Sequence, residues 1–270
     1  SFRKIANLSS TVNFLLNFLR KFHDYYPNLN NRASKVELTK DIITMVDEVV
    51  DKYGEIKDNA SPDLLNIRRD MNVVRGKVNQ SFGVALTQYN SLGYLDDIRE
   101  SFVQNRRVLA VLAMYRRKVK GSILGSSKTG SIAYIEPETT LKYSRELSNL
   151  EYEEKEEINR ILKQLSNRIR PFLDLLIEYQ NFLSDVDVIA AKAKYANKIN
   201  AILPTITEER RLYFRDAFHP ILFLSNKEKN EITYPQTIEL EQENRIIVIS
   251  GPNAGGKTIS LKTVGLLQLM

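Results

Sequence analysis

Eight consecutive residues have the types and spacing to bind phosphate. Gly251, Pro252, Asn253, Ala254, Gly255, Gly256, Lys257 and Thr258 fit the pattern G-x-x-x-x-G-K-[ST]. Glycines at 251, 255 and 256 let a backbone curl until its N–H groups converge on phosphate oxygens. The start of a following helix adds partial positive charge. Lys257 can reach the β- and γ-phosphates as a point charge, and Thr258 can ligate Mg²⁺ through its hydroxyl. ATP and Mg²⁺ are therefore the expected cofactors, with Thr258 the metal ligand. An ATPase of this kind also needs an acidic residue that orients Mg²⁺ and a group that positions water. Only 12 residues follow Thr258, so no catalytic residue is assigned in this chain. The sequence reads as a piece cut inside an ATPase domain. Its parent is expected to hydrolyse ATP, and the piece itself to bind ATP weakly without sustained turnover.

A second set of residues could hold phosphate of another kind. Arg106 and Arg107 precede an apolar block, Arg116, Arg117, Lys118 and Lys120 follow it, and Lys128 sits in the next turn. Cations gathered on short strands suit the backbone of a nucleic acid. The competing reading is solvated strand ends. Tyr115 and Tyr134 have faces on which bases could stack, but packing within a sheet accounts for them better. Residues 151–157 contain five Glu. A helix spreads such carboxylates around its axis, so a solvated face is expected rather than a metal site. His219, followed by Pro220, has no catalytic partner nearby in sequence and reads as structural.

Composition narrows the classes. The chain has 270 residues, with 39 Lys+Arg against 33 Asp+Glu, a net charge of +6. That is too mild to imply nucleic-acid binding by itself. With 43% hydrophobic and 27% charged residues it is a globular composition. The absence of Cys removes disulfides, thiolate zinc sites and thiol catalysis, and two His cannot make a His-rich metal site. The sequence has no apolar run of membrane-spanning length, so a soluble, cytoplasmic protein with no membrane partner is expected.

These residues must be positioned by long helices, because Gly and Pro number only 11 and 8. Helices are expected over residues 12–25 and 34–52. A third starts at Ser61, a good N-cap, with Pro62 in the first turn. Its apolar positions Leu64, Ile67, Met71, Val74, Val78, Phe82, Ala85 and Tyr89 recur in steps of three and four, a coiled-coil-like seam. Residues 108–114, 119–124 and 131–135 then read as short β segments with a turn at 125–130. Pro137 and Glu138 open another long helix, reaching Pro171, and a further helix covers 172–199. Strands are expected at 222–224 and 237–240, and a buried one at 245–250 leads into the glycine loop. Two rods of matching length separated by one β segment imply an antiparallel helical arm with a small sheet at its tip.

Several segments together resemble the MutS family in its second bacterial branch, MutS-II. They are the loop 251–258 with the following helix 259–270, Tyr134-Ile-Glu-Pro137, the segment 185–193, His219-Pro220, 54–62 and Ile67-Arg68. Phe218 departs from the Arg that many members carry before His-Pro, and the turn 126–130 departs from their usual run of small residues. The resemblance implies a mainly α fold with small β segments. Residues 1–60 would be a helical core, 61–105 an ascending lever helix and 106–136 a β clamp tip. Residues 137–200 would be descending lever and core helices, and 201–270 the start of a P-loop, ABC-type α/β ATPase domain. It further implies a homodimer in the full-length protein that uses ATP to clamp branched, mismatched or plain double-stranded DNA, in mismatch repair or suppression of recombination. The other role it implies is rescue of collided ribosomes. A coiled-coil ATPase of the SMC type is strongly disfavoured, because such proteins place the phosphate loop near the N-terminus, before the coil, and here 250 residues precede it.

Overall fold

The computed structural model describes residues 1–252 and 255–270. The expectations for Asn253 and Ala254 lie outside the described residues. The chain forms two compact units, Ser1–Phe182 and Leu183–Met270. The architecture is mainly helical with small antiparallel sheets.

The first unit begins with α1 (Phe2–Lys21), α2 (Pro27–Ala33) and α3 (Asp41–Val49). Helix α1 starts ten residues earlier than the apolar run suggests. Its buried face includes the small residues Ala6 and Ser9 as well as Val12, Leu16 and Leu19, and small residues do not register as hydrophobic. The helix expected over 34–52 is shorter, because residues 34–40 are a connecting segment and α3 covers only Asp41–Val49. Helix α2 precedes that range, and Pro27 opens it at the first helical position rather than ending a helix.

Two long helices dominate this unit. Helix α4 (Pro62–Ser91) has 30 residues and α5 (Glu138–Ile169) has 32, about 45 and 48 Å of rod at 1.5 Å per residue. The Ser61 hydroxyl caps α4 by accepting from the Leu64 N–H at 3.0 Å. Pairings along the rods run in opposite senses. Ser61 meets Glu157, Arg68 meets Glu154, the Lys77 ammonium lies over the Tyr143 ring, and Ser81 meets Thr140. The two helices are therefore antiparallel. At their base Leu64, Ile161, Leu165 and Ile169 join Ala6, Val46, Val49 and Val50 in one core.

At the other end lies a four-stranded antiparallel sheet in the order β1-β2-β4-β3. Its strands are β1 (Leu95–Val103), β2 (Arg106–Leu112), β3 (Gly121–Ser126) and β4 (Ile132–Pro137). Strand β1 corrects the expectation of helix to residue 105. Helix α4 ends at Ser91, and Gly93 at φ +67° turns the chain into the sheet. Alternation was hidden in β1 because it is an edge strand, bulged near Arg99 at φ +58°, with Ile98 and Phe102 exposed. Leu109, Val111, Val119, Ala133 and Ile135 pack with Phe82 of α4, which is fully buried. Gly121 faces Pro137 across the ladder, where a Cβ would stand 2.1 Å from the Glu136 carbonyl oxygen. The close approach of these two strands demands glycine.

Helix α6 (Leu173–Lys198) follows a 3₁₀ turn at Arg170–Phe172. The second unit holds β5 (Leu212–Ala217), α7 (Pro220–Lys229), β6 (Gln236–Leu240) and α8 (Lys257–Leu269), with β5 and β6 antiparallel. Two expectations are corrected here. Residues 222–224 lie inside α7, because Pro220 occupies its first turn and the His219 imidazole accepts from the Leu222 N–H at 3.3 Å. Residues 245–250 form no strand, and Ile246 and Val248 are each 85% exposed. A strand exists only through its ladder, and among the described residues no strand pairs with this one. Among the described residues no helix is long and apolar enough to cross a membrane.

Candidate functional site

The structure divides the seven basic residues singled out in the sequence. Arg106 forms an ion pair with Glu136 at 3.1 Å, and that carboxylate is completely buried. Arg107 bonds Glu100 at 2.6 Å and Asn79 at 3.0 Å, with its guanidinium 4.4 Å from the centre of the Phe82 ring. Both arginines therefore brace the sheet internally. Lys118 lies over two rings, 5.6 Å from the centre of Tyr94 and 5.5 Å from that of Tyr115.

Arg116, Arg117 and Lys120 are different. All three are exposed, and they line one shallow groove with Ile123 of β3 and Glu138 and Leu141 of α5. None of the three forms an ion pair among the described residues. The segment that carries them folds as a 3₁₀ turn, Ala113–Tyr115, followed by a tight reversal in which the Lys118 N–H bonds the Tyr115 carbonyl at 2.9 Å. Lys128 is also exposed but stands apart, in the turn at the opposite end of β3, among the hydroxyls of Ser127, Thr129 and Ser131. Tyr115 stacks on Tyr94 with centroids 4.7 Å apart, and Tyr134 of β4 pairs with Ala110 of β2 and Gly125 of β3. The apolar wall of the groove, Ile123 and Leu141, was not legible in the sequence because it joins residues from a strand and a helix. Nor was the aromatic stack, which unites Tyr89 of α4, Tyr94 in the connection before β1 and Tyr115 of the 3₁₀ turn.

The acidic run is only partly a solvated face. Glu151, Glu153 and Glu156 are exposed. Glu154 instead accepts from Arg68 at 2.7 Å, and buried Glu157 accepts from Arg160 and from the Ser61 hydroxyl, each at 2.6 Å. The Arg160 guanidinium holds the Glu157 carboxyl below its ordinary pKa against the opposing effect of burial, with help from Ser61. Burial also works against the Arg68 charge, but its bonds to Glu154 and Asp58 outweigh this and raise its pKa. Among the described residues no three His, Cys, Asp or Glu gather as metal ligands.

The glycine loop ends at Gly256, which takes φ +80° and serves as the N-cap of α8 with no side-chain cap. The first N–H groups of that helix are left available to an acceptor. The Gly255 N–H bonds the Pro252 carbonyl at 2.9 Å. The Lys257 ammonium donates to the Gly251 carbonyl, and Thr258 is exposed in the first turn. Chemically, this is a backbone curl with a cation and a hydroxyl at a helix N-terminus.

Two long antiparallel helices bearing a small sheet, in a chain that also carries a glycine-rich phosphate-loop motif, define the class of protein. No family model matches the chain. Curated relatives do. The protein named endonuclease MutS2 of Geobacillus sp. (strain WCH70) is 30% identical over 269 residues, covering 98% of this chain and 34% of that protein. Endonuclease MutS2 of Ligilactobacillus salivarius (strain UCC118) is 30% identical over 288 residues, covering 100% of this chain and 36% of its own length. The Staphylococcus carnosus (strain TM300) protein of the same name is 31% identical over 245 residues, covering 91% and 30%. This chain belongs to the MutS family, in its MutS2 branch. It spans about a third of the length of the curated relatives it matches.

Proposed function

We propose that this chain supplies the lever, clamp and nucleotide-loop portions of an ATP-dependent MutS2-type protein that grips DNA. On this reading α4 and α5 are the levers and the four-stranded sheet is the clamp tip. The observation that carries the reading is the groove of Arg116, Arg117 and Lys120. Its three cations have no ion-pair partner among the described residues and face solvent beside apolar Ile123 and Leu141. Phosphate contacts need free cations, and sugar edges find apolar surface in the same groove. Glu138, on the same wall, disfavours phosphate crowding on one side and so orients the strand.

ATP and Mg²⁺ fit the second site. The uncapped N-terminus of α8 and the turn at Gly255 and Gly256 would hold phosphate, Lys257 would leave the Gly251 carbonyl for a phosphate oxygen, and Thr258 would ligate the metal. Nucleotide held there would supply charge that could bias clamp closure in the whole, dimeric protein.

The test is anisotropy binding of fluorescent duplex and four-way-junction DNA across a salt series. The charge-reversed variant Arg116→Glu/Arg117→Glu/Lys120→Glu is measured in parallel. The expected result is junction-preferring binding whose salt slope falls by about 2 to 3 in the variant, near 0.9 per lost phosphate contact. Variant-insensitive binding overturns the groove as the site. Preference for helical ribosomal RNA over every DNA form turns the reading to a ribosome-directed ATPase. Lys257→Ala is expected to weaken binding of a fluorescent ATP analogue about tenfold or more.

A further inference from the structure

We propose that Lys118 is a positioning residue for the basic groove rather than one of its phosphate contacts. The inference rests on the nucleic-acid reading of that groove and deepens it. Four observations carry it. The Lys118 ammonium is shared between the Tyr94 and Tyr115 rings, at 5.6 and 5.5 Å from their centres. Those rings stack on one another at 4.7 Å, and Tyr94 continues the stack to Tyr89 of α4 at 6.4 Å. Two residues further on, the Lys120 N–H donates to the Tyr89 hydroxyl at 3.3 Å. Arg116 and Arg117 lie between the Tyr115 ring and Lys118 in sequence, in a segment whose other anchors are the short turn bonds of Arg116 and Lys118 to Ala113 and Tyr115, buried Val119, and one backbone bond at each end, Ala113 to Ser131 and Glu138 to Lys120.

The consequence is geometric. A cation that sits over two aromatic faces is held by their negative quadrupoles. Moving Lys118 to a phosphate would break both contacts and release the loop. While it stays in place, the loop is tied to α4 directly through Lys120 and Tyr89, and indirectly through Lys118 on the Tyr94 ring that stacks on Tyr89, and the guanidinium groups between them project from a fixed base. A groove with preorganised cations loses less conformational entropy on binding than one with a mobile loop.

A direct contact and a positioning residue respond differently to salt. Loss of a phosphate contact lowers the salt slope by about 0.9, whereas loss of an anchor weakens binding at every salt concentration alike. The experiment compares Lys118→Met, Lys118→Arg and Arg117→Ser, measuring duplex-DNA affinity across a salt series and hydrogen exchange over residues 113–120. For Lys118→Met we expect affinity about two- to fivefold lower with an unchanged slope, and exchange faster by a similar factor. Lys118→Arg, which keeps a cation over the rings, is expected to restore both. Arg117→Ser is expected to lower the slope and leave exchange unchanged. A lowered slope with unchanged exchange in Lys118→Met overturns the proposal and makes Lys118 a direct contact. Unchanged affinity and exchange also overturn it. Should the wild-type chain bind no nucleic acid, the groove reading fails, and exchange alone decides whether Lys118 anchors the loop.

Discussion

The two ends of the α4–α5 pair are fastened by different chemistry. At the base, charges are consumed internally. Arg68 bonds Glu154, Asp58 and the Ile56 carbonyl, and Glu157 bonds Ser61 and Arg160. Aliphatic side chains from α1, α3, α4 and α5 fill the space between them. At the tip, the fasteners are aromatic: Phe82 under the sheet, Arg107 over Phe82, and the Tyr89–Tyr94–Tyr115 stack with Lys118. Those contacts leave Arg116, Arg117 and Lys120 exposed and without an ion-pair partner among the described residues. The difference teaches where a partner could act. The base has its charges satisfied and offers packing. The tip packs largely on rings, uses Arg106, Arg107 and Lys118 internally, and leaves three exposed cations, Arg116, Arg117 and Lys120, without an ion-pair partner among the described residues.

Truncation of the buried side chains should test this division most severely. Leu165→Ala at the base and Phe82→Ala at the tip are each expected to lose about 3–5 kcal/mol in urea denaturation. Only Phe82→Ala should also abolish DNA binding under conditions where both variants remain folded. If Leu165→Ala impairs binding equally, the two ends are not functionally distinct. Next in size, Gly121→Ala should cost about 3 kcal/mol, because its Cβ would meet the Glu136 carbonyl oxygen at 2.1 Å and the β3–β4 ladder must shift. Arg68→Ala should cost about 1.5 kcal/mol, the lower end for hydrogen bonds to charged groups, and should leave DNA affinity untouched.

A pH titration sharpens the same contrast. The Glu157 pKa is lowered in the folded chain. Its contribution to stability is therefore present above the unfolded carboxyl pKa and is lost as pH falls through the folded value. Urea midpoints taken from neutral pH down into the carboxylate range should decline less in Glu157→Gln than in the wild-type chain. The smallest stability effect should come from the tip cations. Arg116→Ser/Arg117→Ser should change stability by no more than about 0.5 kcal/mol while lowering DNA affinity.

Much of this was legible in the sequence where local chemistry is strong. Ser61-Pro62 marked the start of α4, and its seam from Leu64 to Tyr89 is buried or half-buried throughout. Pro137 marked the start of α5. Strand β1 was missed because its bulge and exposed edge break the alternation that reveals a strand. Residues 245–250 were misread because apolar composition reports what a segment would bury, and the ladder that makes it a strand comes from elsewhere. For the groove, sequence named every cation but could not sort them. Whether an arginine is free or braced depends on Glu136, Glu100, Asn79 and Phe82, three of them more than twenty residues distant.

The antiparallel pair also dictates an order of assembly. The tip sheet joins strands that are adjacent or nearly so in the chain, so its loops close cheaply. From there the contacts between α4 and α5 grow steadily more remote: 59 residues separate Ser81 from Thr140, 86 separate Arg68 from Glu154, and 96 separate Ser61 from Glu157. Each closes at little added entropy once the one above it has formed. The chain should therefore zip from the sheet toward the base, with the salt-bridged end the last to acquire protection in pulse-labelled refolding.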